Sequence, residues 1–313
     1  MAGRGGRGLP PGACRLTDTL PLIIVFVASY AAKRAGLLRS DDGGALLRVV
    51  FYLGYPPLIF LSILRVDVDA SFLRLCLVAP VVIGASLLVV LLLRRSLLRH
   101  IDRRTFGPFL AGAAVMNTGF LLPFVERTAG PEGVARLVII DTFVGVTAFS
   151  VVYAALVGIG HERADPGFVL RKLVQSGPLW GLVAAVVVKL AGVTPPVVIM
   201  DSFEVAARIV GTTLLMALGL KFELRVRRPR LLLLSLALRF GLGAVFGAIF
   251  IRLAGLDGID ARVAMFASIA PIAYSAITFA EMERLDVRFA ASQVSMGILI
   301  AIAASPLTVQ LLL

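Results

Sequence analysis

The chain has 313 residues, 59% of them hydrophobic and 16% charged, with a formal net charge of +12. So high an apolar share excludes an ordinary soluble domain, and the charges lie between long apolar runs, as in a polytopic membrane protein. A basic excess would suggest nucleic acid in a soluble protein. Here it reflects membrane topology, so no nucleic acid partner is expected.

The chain begins with a Gly- and Arg-rich leader, residues 1–16, which is too polar to pack and is predicted to be disordered. The apolar run at residues 20–32 resembles the core of a signal peptide, but no small-x-small cleavage site follows it. This favours a retained first helix. Cys14 and Cys76 provide neither a disulfide framework nor a metal-binding spacing.

Long apolar segments follow one another along the rest of the chain. A helix that crosses a hydrocarbon core of about 30 Å needs about 20 predominantly apolar residues. The ten segments that qualify predict an all-α membrane protein with ten transmembrane helices, and their short connections leave no room for a soluble domain. The segments are residues 17–35, 45–64, 72–93, 105–125, 132–158, 176–191, 196–220, 231–254, 261–282 and 289–312.

The fourth segment departs most from an ordinary spanning helix. Asn117 places an amide at membrane depth, Gly119 frees the backbone, and Pro123 lacks an N–H and clashes with the carbonyl four residues earlier. Such an interruption survives in a membrane only where protein or a water-filled cavity satisfies the freed polar groups. We therefore predict that Pro123 breaks this helix.

The ninth segment carries a second interruption, in which Pro271 is followed by Tyr274 and Ser275. Cutting the chain near residue 165 gives two repeats of five segments, residues 17–165 and 166–313, which must insert with opposite orientation. Interruptions at corresponding positions of inverted repeats indicate the binding site of a transporter. Lys and Arg are concentrated in the loops after odd-numbered segments, which predicts that both termini lie outside the cytoplasm.

Several stretches, in this order, form a further pattern: PLIIVFVASYAAKRAGLL, FYLGYPPLIFLSI, NTGFLLP from Asn117 to Pro123, MALGLKFE with Gly219, and Pro271 followed by LDVRFAASQVSMGILI. Together they resemble the auxin efflux carrier family, whose bacterial members carry small organic anions. The resemblance implies two inverted five-helix repeats in which helices four and nine break and cross. It also implies a scaffold of helices one, two, six and seven, transport helices three to five and eight to ten, a bacterial inner membrane location and a homodimer.

Five residues at the two interruptions are candidates for substrate binding. An amide beside the free N–H groups of a half-helix suits a carboxylate, and a tyrosine ring can cover an apolar ligand body. The alternatives are hydrogen bonds and packing between helices. The candidates are Asn117, Thr118, Gly119, Tyr274 and Ser275, with Pro123 and Pro271 expected to break the helices.

Asp141 is the acid placed most clearly inside an apolar segment, and an ionisable residue at that depth is a functional candidate. It could accept a proton during transport or form a structural pair with Arg239. Glu281 and Gln293 lie near segment ends. They are candidates for proton or sodium coupling, with solvated end positions as the alternative.

The sequence contains no nucleophile elbow, phosphate-binding loop or metal-ligand motif, so no catalytic residue, metal or cofactor is predicted. It favours an efflux carrier of small organic anions, such as auxin-like or mono- and dicarboxylic acids, that works by alternating access in contact with lipid. An inside-negative potential, worth about 2.3 kcal/mol per charge for each 100 mV, would drive export without a coupling ion. The alternatives are a sodium- or proton-coupled uptake carrier and, from another class, an intramembrane enzyme or sensor.

Overall fold

The computed structural model describes residues 16–65, 70–99, 101–157, 167, 174–175, 177–224 and 226–312, and these fold almost entirely into helices. The predicted leader, apart from residue 16, lies outside the described residues. We label the helices α1 (Leu16–Arg34), α2 (Ser40–Arg65), α3 (Phe72–Leu92), α4 (Arg103–Ala114), α5 (Thr118–Leu156), α6 (Gly177–Leu190), α7 (Val197–Lys221), α8 (Pro229–Ala254), α9 (Gly258–Ser268), α10 (Ser275–Met282) and α11 (Val287–Leu312).

Six of the described helices are long and apolar enough to cross a membrane, namely α2, α3, α5, α7, α8 and α11. The predicted all-α membrane architecture is therefore confirmed for the part of the chain that the structure describes. Helices also occupy the other predicted segments, but they are shorter or less apolar. Ten membrane crossings in two inverted repeats remain a prediction.

Helix α5 turns a corner at Gly130, whose backbone has φ 59° and ψ −158°. Because side chains other than glycine rarely adopt a positive φ, this position requires glycine. Pro131 then begins the next stretch of helix with its φ already fixed. The corner divides α5 into a first arm, residues 118–129, and a second arm, residues 131–156, which correspond to the end of the fourth predicted segment and to the fifth.

Helices α1, α2, α6 and α7 pack together through small residues. α2 contacts both α6 and α7, and α7 also contacts α1. A Cβ on Gly181 of α6 would lie 2.6 Å from the carbonyl oxygen of Pro56 in α2, and a Cβ on Gly219 of α7 would lie 2.5 Å from that of Phe26 in α1. Glycine permits this close approach of helix backbones. That these four helices form a scaffold stays a prediction.

The second group of helices includes α8. α8 contacts α3, α4, α9 and α11, and α5 contacts α3 and α9. Gly243 and Gly247 of α8 lie against Ser268 at the end of α9, where an added Cβ would collide with the Ser268 backbone or side chain. This GxxxG spacing brings the α8 backbone close to the end of α9.

Candidate functional site

Two helix interruptions meet in the interior of the protein. The first separates α4, which ends at Ala114, from α5, which begins at Thr118, and the second separates α9 from α10. Met116 and Ile272 form an antiparallel bridge between them. The backbone N–H of Asn117 donates to the Pro271 carbonyl at 2.8 Å. Each interruption therefore supplies hydrogen-bond partners for backbone groups that have no helical partner in the other interruption.

The position predicted for the first break is wrong. Pro123 lies inside α5, buried and helical, whereas the non-helical residues are 115–117. Gly211 of α7 lies close to this proline. A Cβ added there would lie only 3.3 Å from the Pro123 side chain, so the glycine leaves space for the proline ring. A proline removes one helical hydrogen bond, and membrane helices tolerate that loss where neighbours compensate. Pro271, in contrast, lies within the second interruption.

Arg239 of α8 donates hydrogen bonds to the C-terminal carbonyls of α4 and α9, the helices that precede the two interruptions. Its guanidinium is fully buried and donates to the carbonyl oxygens of Ala114 and Ala270, each at 3.1 Å, and to that of Ser268. Ala114 and Ser268 are the last residues of α4 and α9. The final carbonyls of a helix lack intrahelical partners and carry partial negative charge, so a cation stabilises them. Arg239 thereby fixes two C-termini with one side chain.

The structural pair predicted between Asp141 and Arg239 is wrong. Arg239 directs its donors to backbone carbonyls, and Asp141 accepts a hydrogen bond from the Thr118 hydroxyl and one from the Gly119 backbone N–H. The acid therefore lies at the N-terminus of one half-helix, and the base lies at the C-termini of two others. Each charge faces helix ends of opposite partial charge.

Asn117 is the N-cap residue of α5, and its side-chain nitrogen makes no hydrogen bond among the described residues. Its Oδ1 accepts the backbone N–H of Phe120 at 3.2 Å, the usual contact of an N-cap residue. Its Nδ2 is buried and has no hydrogen-bond partner among the described residues. Leaving a buried donor unsatisfied costs about 1–3 kcal/mol. The Asn117 amide is therefore a buried donor without an acceptor among the described residues.

A cavity of about 390 Å³ lies against this N-terminus. It brings together all five predicted substrate-binding residues and Asp141, and Asp141 is the one charged side chain among its described lining residues. The rest of the lining is mostly apolar and aromatic, with Thr142 and Gln175 as further polar residues. The predicted residues that line it are Asn117, Thr118, Gly119, Asp141, Tyr274 and Ser275.

Two π-helical turns face the same cavity. One spans Val50–Gly54 in α2 and the other spans Ala148–Val152 in α5. They supply Phe51, Tyr52 and Phe149 to the lining. Such turns occur frequently at functional sites. The double proline at residues 56–57 was the sequence signal for the first, because two missing N–H groups leave carbonyls in the preceding turn without their usual donors.

A second cavity, of about 450 Å³, adjoins the first, and both are lined by Leu47 and Tyr274. Three cations and two carboxylates line it, so basic charge predominates. The charged lining residues are Lys221, Glu223, Arg227, Glu281 and Arg288. Glu281 thus lines this second cavity, which we call the basic cavity, and is exposed.

Gln293 lies elsewhere, fully buried on α11. Its Nε2 donates to the Ser235 hydroxyl of α8, its Oε1 has no partner among the described residues, and its amide packs against Gly112 of α4. It lines neither cavity, so the structure does not bring Gln293 and Glu281 to one site. A role for either in ion coupling stays a prediction. No cluster of three His, Cys, Asp or Glu side chains suited to a metal occurs among the described residues.

Residues 15–165 match the family model described as "Membrane transport protein". The chain is also 28% identical to an uncharacterized transporter from Methanothermobacter thermautotrophicus over 302 residues, covering 93% of this chain and 96% of the relative. A second uncharacterized transporter, from Methanocaldococcus jannaschii, is 24% identical over 284 residues, covering 88% and 91%. Both relatives are archaeal, not bacterial.

The two relatives that match over most of the chain are thus transporters, and the six long apolar helices agree with an integral membrane protein. The predicted resemblance to the auxin efflux carrier family is confirmed. The family model and both relatives are transporters, so the prediction that this chain is not an enzyme is confirmed as well.

Proposed function

We propose that this protein is a secondary carrier that exports small organic anions, such as auxin-like or mono- and dicarboxylic acids, by alternating access. The substrate binds where the two interruptions pair. The observation that carries the proposal is the buried, unpartnered Nδ2 of Asn117, which lies at the cavity and at the N-terminus of α5. A carboxylate oxygen supplies the acceptor that this amide lacks.

The shape and chemistry of the cavity support an amphipathic organic acid. Its lining includes the polar side chains of Asn117 and Ser275 and the aromatic rings of Phe51 and Phe149. Small-molecule sites commonly combine a mostly apolar lining with a few polar groups that fix orientation. The carboxylate would lie at the interruptions, and the organic body would lie against the rings.

The basic cavity supports a route by which the anion enters the site. Lys221, Arg227 and Arg288 line it, and an excess of basic charge attracts anions and raises their local concentration. The loop after α7 is among those predicted to be cytoplasmic, so entry from the cytoplasm fits export. In the proposed cycle α1, α2, α6 and α7 stay fixed as the scaffold. The proposal includes a homodimer in the plasma membrane with both termini outside the cytoplasm.

The test is flux of radiolabelled organic acids into and out of proteoliposomes that contain the purified protein, with protein-free liposomes as the blank. Asn117→Ala removes the free donor, so flux of the transported acid should be lost. The matched control is Ser202→Ala, because Ser202 is exposed, donates only within its own helix and lines neither cavity. Absence of wild-type flux across auxin-like, monocarboxylic and dicarboxylic acids would contradict the proposed function.

A further inference from the structure

We propose that Asp141 is a resident negative charge at the N-terminus of α5, that a substrate monoanion binds only when a proton neutralises this carboxylate, and that substrate and proton therefore cross the membrane together. The inference rests on the proposed function above, since it concerns the same site. It assigns the coupling ion and the group that carries it.

The contacts of Asp141 are the ones a substrate carboxylate would use. Its oxygens accept from the Thr118 hydroxyl and from the Gly119 backbone N–H at the start of α5. These groups form the positive end of the half-helix, where an anion is most stable. Ionised Asp141 therefore occupies part of the anion site before any ligand arrives, and it leaves the Asn117 Nδ2 as the free donor.

Among the described residues that line the cavity, none is a cation that could balance a second anion. The other titratable groups among the described lining residues are the phenols of Tyr52, Tyr55 and Tyr274. Arg239 is committed to three carbonyls. The helices packed against α5 also carry ionised groups, but these do not line this cavity and have contacts elsewhere, among them Lys33, Arg65, Arg74, Lys221 and Asp260.

Two carboxylates that share one helix N-terminus repel each other when no cation lies near them. A proton on Asp141 removes that repulsion. It also converts an oxygen that only accepts into an O–H that donates, and this O–H can hydrogen-bond the substrate carboxylate. Neutralisation thus releases the helix N-terminus and adds a donor to the site.

The charge balance of one cycle follows directly. On the loading side a proton from the water binds the Asp141 carboxylate and the substrate monoanion binds beside it, so the loaded site carries one negative charge. On the other side both leave, and the empty site returns with ionised Asp141, which is again one negative charge. One monoanion and one proton therefore cross without net movement of charge. A pH gradient acts on this cycle and the membrane potential does not. Where the outside is more acidic, net export therefore requires an outward gradient of the acid that exceeds the pH gradient.

The experiment measures isotope flux and current together in proteoliposomes, with radiolabelled pyruvate and mandelate as the probes and with choline replacing sodium. Wild-type flux should occur without sodium and without current, and acidifying the loading side should accelerate it several-fold. Flux that carries one negative charge per acid, or that requires sodium, would overturn the inference and leave the carrier intact. Absence of any wild-type flux, with these probes and the other acids of the panel, would instead overturn the proposed function.

Asp141→Asn assigns the coupling to this residue. Its amide oxygen still accepts from Thr118 and Gly119, but the charge is gone, so flux should become independent of the pH gradient and should carry one negative charge per acid. Glu126→Gln is the matched control, because Glu126 lies on the same helix, is exposed and lines neither cavity. It should keep the wild-type behaviour. An Asp141→Asn variant that stays electroneutral and pH-driven would overturn the inference.

A second readout does not require transport by the variant. Addition of pyruvate to purified wild-type protein in weakly buffered detergent solution should remove about one proton from solution per bound acid, as a pH-indicator dye records. Asp141→Asn should show no proton uptake. Binding of pyruvate to wild-type protein without proton uptake would overturn the inference whatever the variant does.

Discussion

The backbone N–H of Asn117 donates to the carbonyl of Pro271 across 2.8 Å, and the Asn117 side chain begins the half-helix that follows. One residue thus joins the two interruptions through its backbone and also lines the cavity. Any displacement of the second interruption would therefore shift Asn117. The two interruptions are mechanically coupled at this hydrogen bond.

Asn117→Asp separates the structural role of Asn117 from its proposed binding role. An aspartate still accepts the Phe120 N–H and still caps α5, but it replaces the free Nδ2 donor with an oxygen that carries charge. We expect the protein still to fold, with a lower melting temperature at neutral pH because the new carboxylate lies near Asp141 at the same helix N-terminus. The apparent affinity for a transported acid should fall about tenfold or more, because a hydrogen bond to a charged group contributes about 1.5–3 kcal/mol. Unchanged affinity would contradict a binding role for the amide.

Arg239→Ala should destabilise the protein strongly. Three buried carbonyl oxygens would lose a charged donor at once, and each such bond contributes about 1.5–3 kcal/mol. The thermal unfolding midpoint in detergent should therefore drop well below that of Arg252→Ala, which removes an exposed arginine from the same helix. Equal midpoints for the two variants would show that Arg239 does not hold the broken helices.

Gly119→Ala should impair transport through Tyr55. A Cβ at this position would lie 3.0 Å from the Tyr55 hydroxyl oxygen, which is closer than ordinary van der Waals contact. Transport should fall in the single variant and recover when Tyr55→Phe removes the hydroxyl. Gly241→Ala is the control, since a Cβ there meets nothing within 4 Å and alanine favours a helix interior by about 1 kcal/mol. Failure of Tyr55→Phe to restore transport would contradict this steric account.

The Asp102–Arg228 pair should make stability depend on pH in the acid range. Partial burial acts to raise the pKa of Asp102, but hydrogen bonds from Arg228 and Thr105 outweigh it and hold that pKa below its usual value. A carboxyl group with a lowered pKa stabilises the folded state above the pKa of the unfolded chain, about 3.9. This contribution is lost as pH falls through the folded-state pKa.

Asp102→Asn tests that dependence. The asparagine oxygen can still accept the Thr105 N–H and cap α4, whereas the ion pair with Arg228 is lost. Because both side chains are about half exposed, the difference in unfolding free energy at neutral pH should be small, about 0.2–1 kcal/mol. It should shrink further on acidification. A difference that grows as pH falls would contradict the assignment of Asp102.

The polar residues of the site could be predicted from sequence because each interrupts an apolar run. Asn117, Asp141 and Tyr274 were all found in this way, and all three line one cavity. The break itself was placed too late in the chain. Pro123 carries the stronger helix-breaking signal, yet the helix begins at Thr118 with Asn117 as its cap. A cap satisfies several requirements at once, whereas a proline removes only one hydrogen bond.

The role of Arg239 could not be predicted from the sequence. Arg239 is a lone base in an apolar helix, so the sequence suggested an acidic partner. Asp141 was the candidate because it is the acid placed most clearly inside an apolar segment. Its actual partners are backbone carbonyls at two helix ends. Every residue has a backbone carbonyl, so residue types alone do not identify these partners. These carbonyls become visible only when both breaks are positioned in three dimensions. The pairing of Met116 with Ile272 escaped prediction for the same reason.

The most direct test of the central claim, that the substrate binds at the paired interruptions, is protection of a cysteine placed there. Ser275→Cys, in a protein with Cys14 and Cys76 replaced by serine, would be labelled with a charged thiol reagent in detergent. Asp257→Cys, at an exposed position far from both cavity linings, is the control. We expect a transported acid to slow labelling of Ser275→Cys several-fold and to leave Asp257→Cys unaffected. Equal labelling rates with and without a saturating concentration of that acid would contradict a binding site at the interruptions.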